Sequence, residues 1–201
     1  MVTVCEKDMC AGCMACIDIC PKDAITIRDS LHAYNAVIDT DKCVECTACH
    51  KVCQVGQKPD CHDPRLWIQG WADNEDIRKR SSSGGIATAL MAAFIEEGGT
   101  VCSCTFAHGV FGFDFAESYD DLRRFVGSKY VKSNPSGIYK KIKTRLKNGE
   151  KILFIGLPCQ VAAVKKYVGD KLAKCLYTVD LICHGSPSPK LLDMFLKAVS
   201  Y

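Results

Sequence analysis

No segment of this 201-residue chain reaches the roughly 18 consecutive apolar residues that a membrane-spanning helix needs. Met1 to Cys10 has no basic start followed by an apolar run, so no secretory signal is legible there. G-x-G-x-x-G and Walker loops are missing, which removes the familiar routes to direct NAD or ATP binding. The five histidines form no H-E-x-x-H or other paired site. Excess charge is also scarce. A net charge of +3 and a pI near 8.1 are too mild for a nucleic-acid binder. The expectation is therefore a chain with neither a membrane nor a nucleic-acid partner.

What the chain has in abundance is cysteine, 15 residues of it. Cysteine-rich chains are usually secreted and disulfide-bonded. Here the spacing argues for metal instead, and so for a reducing cytoplasm. Cys10, Cys13, Cys16 and Cys20 read C-x2-C-x2-C-x3-C, closed by Pro21. Cys43, Cys46, Cys49 and Cys53 repeat the pattern 33 residues later, with Gln54 in place of the proline. Three thiolates at two-residue gaps can wrap three corners of one iron–sulfur cube. The fourth, after a wider gap, faces away and reaches the other cube. Structural zinc is the competing reading, but it needs four ligands, usually as two separated pairs.

The double quartet resembles the bacterial two-cluster ferredoxins. That resemblance implies that Cys10, Cys13, Cys16 and Cys53 hold one [4Fe–4S] cluster and Cys43, Cys46, Cys49 and Cys20 the other. It also implies oxygen sensitivity and an anaerobic or low-oxygen setting.

The charge is unevenly spread. Residues 1–60 carry 6 basic and 9 acidic side chains, and residues 61–201 carry 20 and 14. An acidic electron-transfer module joined to a basic cofactor-binding unit fits this split, and so do two ordinary solvated surfaces. The 48% apolar content suffices for a real core. Residues 1–58 read as an α+β ferredoxin-like unit. It has short helices over 15–19 and 48–52 and a hairpin from 24–28 and 33–40. Gly56 to Pro64 reads as a linker.

Beyond it the pattern changes. Ser83 is expected to cap a helix over 84–97, stopped by Gly98-Gly99. A strand over 100–104, a basic amphipathic helix over 138–147 and a buried strand over 151–155 follow. Then come a helix over 160–168, a strand over 176–182 and a helix over 189–199. Alternating strands and helices predict an α/β unit over 65–201 with a mainly parallel sheet. The chain stops at Tyr201 within a helical pattern, which reads as a cut.

Ligands in open α/β sheets sit beyond the carboxyl ends of the strands. Cys159 and Cys183 fall at two such ends. They read either as a cluster half-site or redox pair, or as buried small hydrophobes. Ser82, Ser83, Gly84 and Gly85 precede a helix, where free N–H groups and the dipole suit a phosphate. A flexible connector with an N-cap explains the same residues. Ser128, Lys129 and Tyr130 form a second candidate, with a cation for an anionic group and a ring for stacking. Cys5, Cys61, Cys102, Cys104 and Cys175 are expected to be structural.

Ser81 to Leu90, Gly127 to Val131, Pro158-Cys159-Gln160 and Asp180 to Gly185 together resemble the family of beta subunits of coenzyme F420 hydrogenases and dehydrogenases. Bacterial members carry the same dicluster unit in front. The resemblance implies an iron–sulfur flavoprotein oxidoreductase subunit. Electrons would pass through two [4Fe–4S] clusters to FAD and on to a two-electron acceptor, F420-like or other. The Ser/Gly loop and Ser128-Lys129-Tyr130 would belong to the flavin region. Cys159 and Cys183 would supply half of a third cluster, whose remaining C-x2-C ligands lie beyond these residues, so a complete third cluster is not expected. A redox partner protein is implied. The alternative is a ferredoxin-like carrier whose second half only docks a partner.

Overall fold

The computed structural model describes residues 1–59 and 62–200. Short elements build the first part: strand β1 (Val2–Thr3), helix α1 (Ala15–Ile19), strands β2 (Ile25–Asp29) and β3 (Tyr34–Ile38), and helix α2 (Ala48–Val52). The strands form an antiparallel sheet in the order β1-β3-β2, with Ile25 opposite Ile38 and Ile27 opposite Ala36. Alternation along β2 sends Ile25 inward and Thr26 outward.

The 33-residue duplication is repeated in the backbone. Met14 and Thr47 precede their helices in the left-handed region, at φ 63° and 61°. Cys20 and Cys53 end them in the same extended conformation, at φ −74° and −75°. Left-handed non-glycine residues cost energy and concentrate at functional sites.

The second part holds helices α3 (Glu75–Arg80) and α4 (Ile86–Glu96), then strands β4 (Thr100–Ala107) and β5 (Val110–Ala116). Helix α5 (Ile138–Lys147), strand β6 (Ile152–Gly156), helix α6 (Pro158–Val168), strand β7 (Leu176–Asp180) and helix α7 (Pro189–Val199) complete it. Its sheet runs β5-β4-β6-β7, with β4, β6 and β7 parallel and β5 antiparallel at the edge. The fold is thus mixed α/β, with a mainly parallel four-stranded sheet and a small antiparallel one. Every residue of the apolar central strand β6 is buried, as expected when helices cover both faces of a sheet.

Two differences from the sequence expectation have clear causes. Gly85, at φ 82°, precedes α4, so the helix starts two residues late and Ser83 makes no capping bond. β5 follows β4 through His108 and Gly109, both at positive φ, the tight hairpin turn that a right-twisted ribbon favours.

The main core runs through both parts. Ala15, Cys16, Ile25, Ala36 and Val52 pack in one cluster with Tyr139, Ile142, Phe154, Val161, Val164 and Tyr167. α5 contributes Ile138, Tyr139, Ile142 and Leu146, one face of a 3.6-residue period. A smaller core of Met91, Val101, Leu122, Phe125, Leu153 and Ile155 fills the opposite face of the sheet under α4. α7 buries none of its residues. Among the described residues no helix is long and apolar enough to cross a membrane.

Candidate metal centres and the adjoining pocket

The eight quartet cysteines gather around two cavities, and each cavity draws on both quartets. The first, of about 20 Å³, is lined by Cys10, Cys13, Cys16 and Cys53, with Cys5 beside them. The second, of about 270 Å³, is lined by Cys20, Cys43, Cys46 and Cys49. Cys16 is buried, whereas Cys46 is exposed. Backbone N–H groups already point at sulfur: Gly12 donates to Cys10 Sγ, Glu45 to Cys43 Sγ and Ala24 to Cys20 Sγ, each at 3.4 Å. Such donors stabilise thiolate charge.

Burial pushes the Cys13 thiol pKa up to about 11, and burial with Cys10 and Cys53 pushes Cys5 up to about 12. Burial raises Cys49 as well, and its thiol neighbours there are Cys20 and Cys43. Among the described residues no group of three or more His, Cys, Asp or Glu is arranged to hold a metal ion. Four sulfurs at about 2.3 Å from one zinc crowd together. The donor set fits a pair of cubanes: each cavity collects four quartet thiols, three from one quartet and the fourth from the other.

The first quartet sits directly against the second half of the chain. Asp18 accepts N–H bonds from Gly137 at 2.5 Å and Tyr139 at 3.1 Å, at the start of α5. The Tyr139 hydroxyl donates to the Cys13 carbonyl at 2.8 Å, and the Tyr167 hydroxyl to the Asp18 carbonyl at 3.1 Å. Gln54, where the sequence departs from the proline of the first quartet, donates to the Cys159 carbonyl at 2.9 Å.

Cys159 begins the first turn of α6. Burial raises its thiol, Cys183 adds to the rise, and Lys132 opposes it. Its charge also bears on Cys13. The charge of Cys159 thus bears on both Cys183 and the first quartet. The Gly185 N–H donates to Cys183 Sγ at 3.4 Å, the same spacing of two residues and the same distance as at Cys10 and Cys43.

Beyond Cys183 lies a cavity of about 420 Å³ over the ends of β6 and β7, as the strand-end rule anticipates. Ser128, Lys129 and Tyr130 line it, with Phe125, Ile155 and Leu157 supplying apolar surface. Ser82, Ser83, Gly84 and Gly85 do not line it, although Ser82 Oγ accepts the Ser128 N–H at 2.8 Å and braces that wall. Gly84 and Gly85 are packed instead. A Cβ on Gly84 would lie 3.2 Å from Trp71 Cβ, and one on Gly85 3.1 Å from Ile77 Cγ2.

Lys129 Nζ donates to the Phe125 and Val126 carbonyls at 2.7 and 3.2 Å, and burial lowers its pKa. Cys104 also lines the cavity, although its sequence context marks it only as structural. Cys102, two residues before it on β4, is in the main core. Cys61 lies outside the described residues.

Three family descriptions match the chain. Residues 9–57 match a 4Fe–4S dicluster domain. Residues 67–138 match the N-terminal part of the coenzyme F420 hydrogenase/dehydrogenase beta subunit, and residues 149–200 match its C-terminal part. The chain belongs to the family of coenzyme F420 hydrogenase/dehydrogenase beta subunits. Among relatives of this family member, a subunit of the F(420)H(2) dehydrogenase of Methanosarcina mazei is 23% identical over 210 residues, covering 91% of this chain and 55% of its own length. The chain thus spans about half of that relative. A ferredoxin of Methanothermococcus thermolithotrophicus is 50% identical over 28 residues, covering 14% of this chain and 47% of its own length. A chain of the F420-reducing [NiFe] hydrogenase complex from Methanosarcina barkeri superposes with a TM-score of 0.52 at 29% identity. The match covers 63% of this chain and 47% of that one.

Proposed function

We propose that this chain is an iron–sulfur flavoprotein subunit that relays electrons from two cubane sites to a flavin pocket. In this reading residues 1–58 form the dicluster unit and residues 65–201 the flavin-binding half. Cys10, Cys13, Cys16 and Cys53 hold one [4Fe–4S] cluster. Cys43, Cys46, Cys49 and Cys20 hold the other. The two cavities support this crossed assignment, since each collects one such set. When bound, the clusters carry single electrons and FAD pairs them for a two-electron acceptor, F420-like or other.

The observation that carries the reading is the position of Cys159. Its carbonyl is held by Gln54, the residue after Cys53, and it stands in the first turn of α6 between Leu157 and Gln160, which line the pocket. The first thiol set therefore borders the pocket through one short seam, and the second set opens to solvent through Cys46. An electron from a partner redox protein enters most directly at that exposed end.

Ser128, Lys129 and Tyr130 form the pocket wall, with Lys129 as the cation for an anionic cofactor tail. Ser82 holds that wall through the Ser128 N–H, and Ser83, Gly84 and Gly85 continue its loop into α4. A 420 Å³ cavity with an apolar floor and polar rim is of the size and character that cofactor sites take. Cys159 and Cys183 remain a half-site.

The unpartnered apolar face of α7, with Leu191, Met194 and Phe195 exposed, favours a second reading in which this half only docks a partner enzyme. Bound flavin separates the two. FAD titrated anaerobically into the cluster-loaded chain is expected to bind one per chain and to be reduced by a one-electron viologen donor. Loaded clusters with no FAD binding would leave only the docking reading.

A further inference from the structure

Five cysteines, not four, surround the smaller cavity. Cys5 lines it together with Cys10, Cys13, Cys16 and Cys53, and Cys10 and Cys53 are the thiols whose charge bears on it. The larger cavity has four cysteines and no fifth.

The internal duplication makes this difference specific. Thirty-three residues after Cys5 stands Ile38, and Ile38 lines the larger cavity. One copy of the repeat thus offers a thiol beside its cavity and the other an aliphatic side chain.

Cys5 is also firmly held. The Val4 N–H donates to the Ala36 carbonyl at 2.9 Å, and the Val4 side chain is buried. The Thr3 hydroxyl donates to the Cys5 carbonyl at 2.7 Å. His50 Nδ1 lies 2.8 Å from the Val4 carbonyl and ties the segment to the helix that ends at Cys53. On the far side, Asp8 and Asn35 exchange two bonds of 2.8 Å, one from the Asp8 N–H and one from the Asn35 amide.

We infer that Cys5 is a fifth thiol of the first cluster site, donating its S–H to the sulfurs of Cys10 and Cys53 and so raising the reduction potential of that cluster alone. The inference rests on the cluster assignment proposed above. An ordinary cysteine is a neutral thiol near pH 7 and so has a proton to donate. Reduction adds negative charge to a cluster and its ligand sulfurs. A donor aimed at those sulfurs stabilises the added charge, most of all in a small cavity that excludes water. Ile38 offers no such donor, so the two clusters differ in potential, with the first the better electron acceptor. That order directs electrons from the exposed site toward the pocket.

The test is an anaerobic potentiometric titration of the cluster-loaded chain, followed by electron paramagnetic resonance, on the wild type, Cys5→Ala and Cys5→Ser. Cys5→Ala is expected to lower one midpoint and leave the other in place, with about eight irons retained. Cys5→Ser, which keeps an O–H donor, is expected to recover part of the shift. Unmoved midpoints, or two midpoints moving together, would overturn the inference while leaving the clusters standing. Loss of about four irons from Cys5→Ala would make Cys5 a ligand rather than a donor and would equally overturn it. A wild-type chain without iron would sink the cluster assignment itself.

Discussion

Asp18 Oδ2 accepts the backbone N–H of Tyr139 at 3.1 Å, joining two residues 121 positions apart. Asp18 belongs to α1, the helix that carries Cys16, and Tyr139 opens α5 against the four-stranded sheet. One carboxylate thus caps a helix of the second half from within the cysteine-rich first half. The first thiol set and the pocket half are fixed to each other rather than loosely tethered.

Removing that cap should be measurable. Asp18→Ala is expected to destabilise the loaded protein by about 1–2 kcal/mol, the usual cost of a lost helix cap. For a chain of this size, each kcal/mol corresponds to roughly 2–4 °C in Tm. Asp18→Asn keeps an acceptor oxygen and should cost less. Burial pushes the Asp18 carboxyl above its ordinary range, against the pull of the Gly137, Lys140 and Tyr139 N–H groups. The folded chain therefore holds this proton more tightly than the unfolded chain. Stability from this group is full below the ordinary carboxylate range and declines as pH rises through the raised value. Thermal melts of Asp18→Asn against pH should lack that decline.

The Tyr139 hydroxyl gives a second, independent handle. Tyr139→Phe removes the donor to the Cys13 carbonyl and leaves that buried acceptor unpaired, at a cost of about 1–3 kcal/mol. Iron content should survive, because no ligand is touched. A Tm equal to that of the wild type would contradict the role given to this bond.

Crossed ligation is tested by pairs of substitutions. Cys10→Ala with Cys53→Ala strikes one cluster twice and should leave about four irons. Cys43→Ala with Cys53→Ala strikes both clusters and should leave almost none. The reverse result would mean that each quartet ligates its own cluster. Cys159→Ala and Cys183→Ala should each keep about eight irons, since neither holds one of the two cubes.

Lys129 predicts opposite trends with pH. Burial lowers its pKa, while the nearby Cys104 opposes that shift. The folded chain thus releases this proton before the unfolded chain does. Stability from this group should rise with pH, from the lowered value up to the ordinary lysine range. FAD affinity should fall over the same rise, as the cation facing the anionic tail is lost. Lys129→Gln is expected to bind FAD more weakly and to flatten the pH profile, read by flavin fluorescence.

Much of this architecture is legible in the residues. The quartets mark their own short helices, and the pattern of residues marks the basic helix over Ile138–Lys147 and the last helix over Pro189–Val199; the structure has them at those bounds. β5 is legible too and is a missed signal: after the His108-Gly109 turn, Phe111, Phe113 and Phe115 alternate with Gly112 and Asp114, the period of a strand. α3 escapes such a reading because its six residues are mostly charged, with Asn74 as its cap. The strand-end rule foreshadows Cys183 at a cavity over β6 and β7, but it does not reach Ser128 to Tyr130, which follow no strand end. It does not foreshadow Gln54 binding Cys159, since a side-chain bond across 105 residues leaves no periodic trace. Cys5 is silent in the sequence for the same reason: it stands outside both spacings, and only the folded hairpin brings it to Cys53.

The most direct test of electron transfer through two cubanes is metal analysis of the anaerobically purified chain. About eight irons per chain, with no zinc, is the predicted result. Zinc in place of iron would contradict the electron-transfer reading at its root.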